Sequence, residues 1–204
     1  MISRTHTVPF IFIDITKVAG TSIRSVLSKY GGEGKHHRIH NSADNPPHPG
    51  RTLYPDKDLK GFYTFSFIRN PWERILSLYY WGTELVEAHG GEITFPYTLP
   101  FSEYVRYLQG LLTLPIDARP MVDWFTDDSG RIHLDYLGRL DPLNLRNDWE
   151  FIANQLQLNP EDHELPHLYK TTHGDYRAEY NAETQKIVED LYARDIRKFG
   201  YSFA

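Results

Sequence analysis

The stretch from Phe10 to Leu27, FIFIDITKVAGTSIRSVL, decides the fold. Four apolar residues run into Asp14, Lys17 stands three places before Gly20, and a Gly-Thr-Ser turn leads at once into a helical pattern. Within it, Val8 to Ile15 reads as a buried strand, because a short apolar, β-branched and aromatic run bounded by polar residues is too brief for a helix. After Gly20, Ile23, Val26, Leu27 and Tyr30 recur at helical spacing, so a helix packs back on that strand.

The same strand, turn and helix order returns in GFYTFSFI followed by RNPWERILSLYYW, with Asn70 as N-cap and Pro71 at the first helical position. Farther on, Ser102 is placed to cap a helix burying Tyr104, Val105, Leu108 and Leu112. The run MVDWFTDDSGRIHLDYLGRL reads as two short strands about an Asp-Asp-Ser-Gly turn. Asn147 or Asp148 begins a helix with Trp149, Ile152, Ala153 and Leu156 on one face. A last helix starts near Asn181, buries Ile187, Val188, Leu191 and Ile196, and stops at Gly200. Strands alternating with helices predict an α/β fold: a P-loop-like central parallel sheet flanked by helices on both faces. With 204 residues, 40% of them hydrophobic and 14% aromatic, the chain is long enough for one domain spanning 1–204.

A formal net charge of −5 argues against nucleic-acid binding over the whole surface and leaves room for a local cationic pocket. The absence of cysteine excludes disulfides and thiolate metal sites, and the ten histidines lack HExxH spacing, so no metal is expected. The N-terminal apolar run is too short for a membrane helix and is broken by Pro9 and Asp14, which points to a cytoplasmic protein.

Backbone N–H groups at a helix start point outward unpaired and carry the positive end of the helix dipole, so the turn Val18, Ala19, Gly20, Thr21 and Ser22 suits a phosphate. Lys17 adds a full charge. A triphosphatase P-loop needs Gly-Lys-Ser/Thr after its glycines; here the lysine comes first and no magnesium-binding hydroxyl follows it. In the second turn Arg69 leaves the strand, while Asn70, Arg74 and Ser77 fall within about 60° of one another on a helix turning about 100° per residue. Arginine plus a serine hydroxyl fits a second phosphate, although RNP is also an ordinary cap and Arg74 an ordinary ion-pair partner.

TKVAGTS resembles the 5′-phosphosulfate loop, and FSFIRNPWERILSLYY the 3′-phosphate element, of carbohydrate-type sulfotransferases that use 3′-phosphoadenosine-5′-phosphosulfate (PAPS). IHLDYLGRLDPLNLRNDWEFIANQL, LPHLYKT and YNAETQKIVEDLYARDIRKFGYSF are similar to further segments of that family, leaving 83–120 poorly matched. The resemblance implies transfer of a sulfonate group to a hydroxyl of a carbohydrate or other acceptor. Lys17 is implied at the bridging oxygen, the 18–22 turn at the 5′-phosphate, and Arg69 with Ser77 at the 3′-phosphate. Arg139 and Lys170 are further cofactor candidates, with His173 and Tyr176 beside them. His40, then His37, is implied as the general base, with His36, Glu33 and Asp44 nearby. Relatives usually carry histidine and proline where this chain has Asp14 and Thr16. Two other readings compete: a kinase-like P-loop phosphotransferase, and a non-catalytic cofactor- or glycan-binding module. Acceptor choice falls to 31–60 and 83–120. Tyr79, Tyr80 and Trp81 fit core packing better than a sugar-stacking wall.

Overall fold

The computed structural model describes residues 1–32, 61–88, 96–126, 130–166 and 174–203. In chain order the strands are β1 (Ile2–Ser3), β2 (Phe10–Ile13), β3 (Tyr63–Ile68) and β4 (Tyr136–Arg139). The helices are α1 (Gly20–Leu27), α2 (Pro71–Ala88), α3 (Phe101–Gly110), α4 (Leu145–Gln155), α5 (Ala182–Leu191) and α6 (Ala193–Phe199), with short 3₁₀ turns between them. Two compact units result: Met1–Arg69 with Met121–Tyr169, and Asn70–Pro120 with Lys170–Ala204.

The first unit holds the sheet, ordered β1-β2-β3-β4. β2, β3 and β4 run parallel, pairing Ile13 with Ser66 and Ile68 with Arg139, while β1 is an antiparallel edge. The sheet is therefore mixed rather than wholly parallel, and helices flank it in an α/β arrangement. Every residue of β2 is buried, and all of β3 but Tyr63. Side chains alternate between faces, so both faces of these strands are covered, as expected of strands with near-continuous apolar runs. Each buried Phe or Ile side chain of these strands contributes about 1.5–3 kcal/mol. Gly138 of β4 lies against the Phe67 ring, where any Cβ would overlap it.

The expected hairpin of 121–140 does not form. Met121–Trp124 is a 3₁₀ turn, the run's only antiparallel pairing among the described residues is the bridge Thr126↔Ile132, and Tyr136–Arg139 pairs in parallel with β3 instead. Met121, Val122 and Trp124 are buried, and over four residues a strand and a 3₁₀ turn bury the same apolar side chains.

Asp162 locks the end of this unit. Its carboxylate is buried and accepts from Lys29 Nζ at 2.5 Å and Tyr30 Oη at 2.6 Å, while its carbonyl takes the Trp149 indole N–H at 3.0 Å.

In the second unit, Asn70 Oδ1 caps α2 by accepting from Trp72 N at 3.0 Å. α3 begins at Phe101, after Pro100, and buries Tyr104, Val105 and Leu108. Leu112 is exposed, contrary to its expected place on the buried stripe: the helix stops at Gly110 and Leu111 is extended. α4, in the first unit, starts two residues earlier than the Asn147 expectation and buries Trp149, Ile152 and Ala153 as expected. The predicted last helix is two, α5 and α6. Asn181 and Thr184 form a reciprocal capping box before α5, and Gly200, at φ 68°, ends α6.

Burial alone would raise the pKa of Asp162, but the Lys29 and Tyr30 hydrogen bonds outweigh it and hold the carboxyl below its ordinary 3.8. A depressed folded pKa contributes stability that is complete above the ordinary value and fades as pH falls through the folded one. Asp162→Asn should therefore lower the melting temperature at pH 7, and the gap from the parent protein should narrow as pH falls below 3.8; parallel thermal melts across pH 2–7 test this, and a gap constant with pH refutes it.

Candidate functional site

Parallel pairing places the ends of β2, β3 and β4 side by side in the first unit, and three positions singled out in the sequence sit there. After β2 comes the loop Asp14–Ala19, after β3 comes Arg69, and β4 ends at Arg139. In open α/β sheets the crevice at the carboxyl ends of the strands is where ligands bind.

The loop has an unusual backbone. Lys17 and Ala19 both adopt left-handed conformations, φ 69° and 64°, without being glycine. Such residues cost about 1–2 kcal/mol each and persist where the surroundings impose them, commonly at functional sites. Val18 between them is fully buried and anchors the turn. Ala19 precedes α1, and its carbonyl accepts from Ile23 N at 3.1 Å, so the helix begins at Gly20 with Thr21 exposed and Ser22 buried.

Gly20 is required by space rather than by its dihedral angles: a Cβ there would overlap the Asp14 carboxylate and meet Arg24 Nη1 at 2.9 Å. Asp14 and Arg24 form an ion pair directly under this residue, and Arg24 Nη2 also reaches Thr21 Oγ1 at 3.1 Å. That contact gives Asp14, one of the chain's departures from the resembled pattern, a structural reason. The signal was present in the sequence: a carboxylate at the end of FIFID is bound to be buried and needs a cation, and Arg24 is the basic residue of the helix that follows.

Arg69 turns back on the loop, its Nη1 donating to the Lys17 carbonyl at 3.4 Å while its backbone N–H meets Met121 Sδ at 3.5 Å. Lys17 and Arg69 are thus on neighbouring strand ends. Arg139 is fixed from behind by Asp148 of α4, whose carboxylate accepts the Arg139 N–H at 2.6 Å and the Tyr136 hydroxyl at 2.8 Å. Asp148 is a further residue the sequence did not single out for this place.

Arg74, Ser77 and Tyr176 belong to the second unit. Arg74 is 0% exposed and its fork is used structurally, Nη1 to the Arg119 carbonyl at 2.9 Å and Nη2 to the Asp117 carbonyl at 2.7 Å. Ser77 is buried on α2, and Tyr176 Oη accepts from Asn70 Nδ2 at 3.5 Å. Tyr79 donates to the Leu99 carbonyl at 2.8 Å and packs edge-on against Phe101, so it is core. Glu33, His36, His37, His40, Asp44, Lys170 and His173 lie outside the described residues. Among the described residues no cluster of histidine and carboxylate side chains could hold a metal, and no helix is long and apolar enough to cross a membrane.

A loop bearing a half-buried lysine at a helix start, with two arginines on the next two strand ends, defines an anion-handling α/β enzyme. The model of the sulfotransferase family, family 2, matches residues 1–202, and the chain belongs to that family: it is a sulfotransferase. No curated protein and no solved structure matches the chain.

Arg74→Met keeps most of the side-chain bulk and leaves the Asp117 and Arg119 carbonyls without these donors. The expected cost is about 3 kcal/mol, a fall of roughly 6–12 °C in melting temperature; an unchanged melt would show that these bonds do not hold the second unit together.

Proposed function

We propose that the protein moves a sulfonate group from PAPS to a hydroxyl of a carbohydrate or other hydroxylated acceptor. The observation that carries this reading is the convergence of the Lys17 loop, Arg69 and Arg139 at the ends of three adjacent parallel strands. A donor with two separated phosphates needs two anion sites, and a helix-start turn beside an arginine supplies them. The residues fit that donor: the loop before α1 holds Lys17 in a strained conformation, and Thr21 is exposed in the first turn of the helix. The continuous family match supports treating 1–204 as one sulfotransferase domain.

On this reading Val18, Ala19, Gly20, Thr21 and Ser22 hold the 5′-phosphate through backbone and hydroxyl donors, and Arg69 holds the 3′-phosphate, with Arg139 beside it. The acceptor oxygen bonds to sulfur as the bond from sulfur to the bridging oxygen breaks. Lys17 neutralises the charge that collects on that oxygen, and a histidine, His40 or else His37, takes the acceptor proton. The transition state resembles that of phosphoryl transfer, loose and in line, so positioning and electrostatics supply most of the catalysis. A sulfuryl group carries less charge than a γ-phosphate, so Lys17 serves without a magnesium ion. A composition without cysteine suits a reducing compartment, and we propose the cytoplasm as the place of the reaction.

Two measurements decide the reading. The product nucleotide 3′-phosphoadenosine 5′-phosphate at 100 times its Kd should stabilise the protein by about 2.7 kcal/mol, a rise of roughly 5–10 °C in melting temperature. Labelled-sulfate transfer, screened over glycan, phenolic and lipid acceptors, should be abolished by Lys17→Ala and reduced by about 10²–10⁴-fold in His40→Ala. Absence of stabilisation at saturating nucleotide would count decisively against a PAPS donor.

A further inference from the structure

The side chain of Asp14 is 5% exposed and that of Arg24 is 19% exposed, and their ion pair sits under Gly20 at the start of α1. A carboxylate in that place is unfavourable for an anion-binding loop, because two negative charges in a poorly solvated region repel each other. Arg24 cancels it. The same guanidinium donates from Nη2 to Thr21 Oγ1 at 3.1 Å. A guanidinium has donors and no acceptor, so the Thr21 oxygen must accept, which leaves its own proton to be donated elsewhere. Thr21 is exposed in the first turn of α1, where backbone N–H groups also face outward.

We propose that Arg24 is a positioning residue for sulfonate transfer: by bridging Asp14 and Thr21 it cancels the buried carboxylate beneath the loop and sets the Thr21 hydroxyl as a proton donor to the bound anion. The inference rests on the reading of this loop as the donor's phosphate site. It separates the two members of the ion pair by sign. Removing the Asp14 charge leaves Arg24 cationic beside the anion and does not weaken binding. Removing Arg24 uncovers the carboxylate and releases the hydroxyl together, and weakens binding strongly.

The test is calorimetric titration of 3′-phosphoadenosine 5′-phosphate, and separately of inorganic pyrophosphate, into a set of variants whose unliganded melting temperatures are measured alongside. Thr21→Ser should bind as the parent protein does and Thr21→Val about tenfold more weakly. Asp14→Asn should bind at least as tightly as the parent, and Arg24→Gln about a hundredfold more weakly. The double variant Asp14→Asn/Arg24→Gln should recover to the level of Thr21→Val. Equal weakening by Asp14→Asn and Arg24→Gln, in step with their melting temperatures, would reduce the pair to a structural brace and overturn the proposal, as would unchanged binding in Thr21→Val. If the parent protein binds pyrophosphate with this ordering but not the nucleotide, the donor assignment fails and the role of Arg24 stands; if it binds neither, both fail.

Discussion

Parallel pairing of β2, β3 and β4 is the constraint on which the candidate site depends. Because the three strands run the same way, the residues that follow Ile13 and Ile68 and the end of β4 at Arg139 emerge on one edge of the sheet. A hairpin, by contrast, would send consecutive strand ends to opposite edges. The register pairs Ile68 with Arg139, so that Leu140 N closes on the Ile68 carbonyl at 2.7 Å and Arg139 ends its strand one residue short of the level of Arg69. Arg69 then reaches the Lys17 carbonyl across one strand spacing. For β2 and β3 short strands suffice because both of their faces are buried, and the apolar burial holds their direction.

The charged and polar groups around these strands are arranged in support of their ends. Asp135, entering β4, accepts from the Thr64 N–H at 2.7 Å and the Thr64 hydroxyl at 2.8 Å, tying β4 to β3 at the start of their pairing. At the far end Asp148 ties β4 to α4 through the Arg139 N–H. Asp14 holds α1 against the end of β2 through Arg24. In each case a carboxylate satisfies donors that would otherwise be stranded at an element boundary, where an unmade hydrogen bond costs about 1–3 kcal/mol. The first unit therefore uses its aspartates for geometry and keeps its cations, Lys17, Arg69 and Arg139, around the strand ends.

The two halves of the sequence that looked alike, strand to turn to helix, are put to different uses. The first turn is a strained loop whose left-handed Lys17 and Ala19 bracket a buried Val18. The second is a capped turn: Asn70 closes α2 with its own side chain, and Arg74 on that helix supports two carbonyls of the second unit. The start of α2 is buried all round, from Arg74 to Leu78 without a break, and Arg74 lies there at 0% exposure.

The sequence by itself determined the α/β class, strands β2 and β3, helices α1 and α2 with the Asn70 cap, the Asn181 cap of α5 and the Gly200 stop. These are local facts: apolar runs of the right length, caps and glycines act within a few residues of themselves. It also marked Lys17 and the Gly-Thr-Ser turn, because charge before a helix start is legible without a fold. Only the tertiary structure decided that Tyr136–Arg139 joins β3 rather than folding back on Thr126, that Leu112 is outside the core, and that Arg74 is spent on carbonyls. It alone revealed the reach of Arg24 to Thr21 and the Asp148 support of Arg139. Those outcomes depend on which backbone lies opposite a side chain from elsewhere in the sequence, and no periodicity or cap signal carries that information.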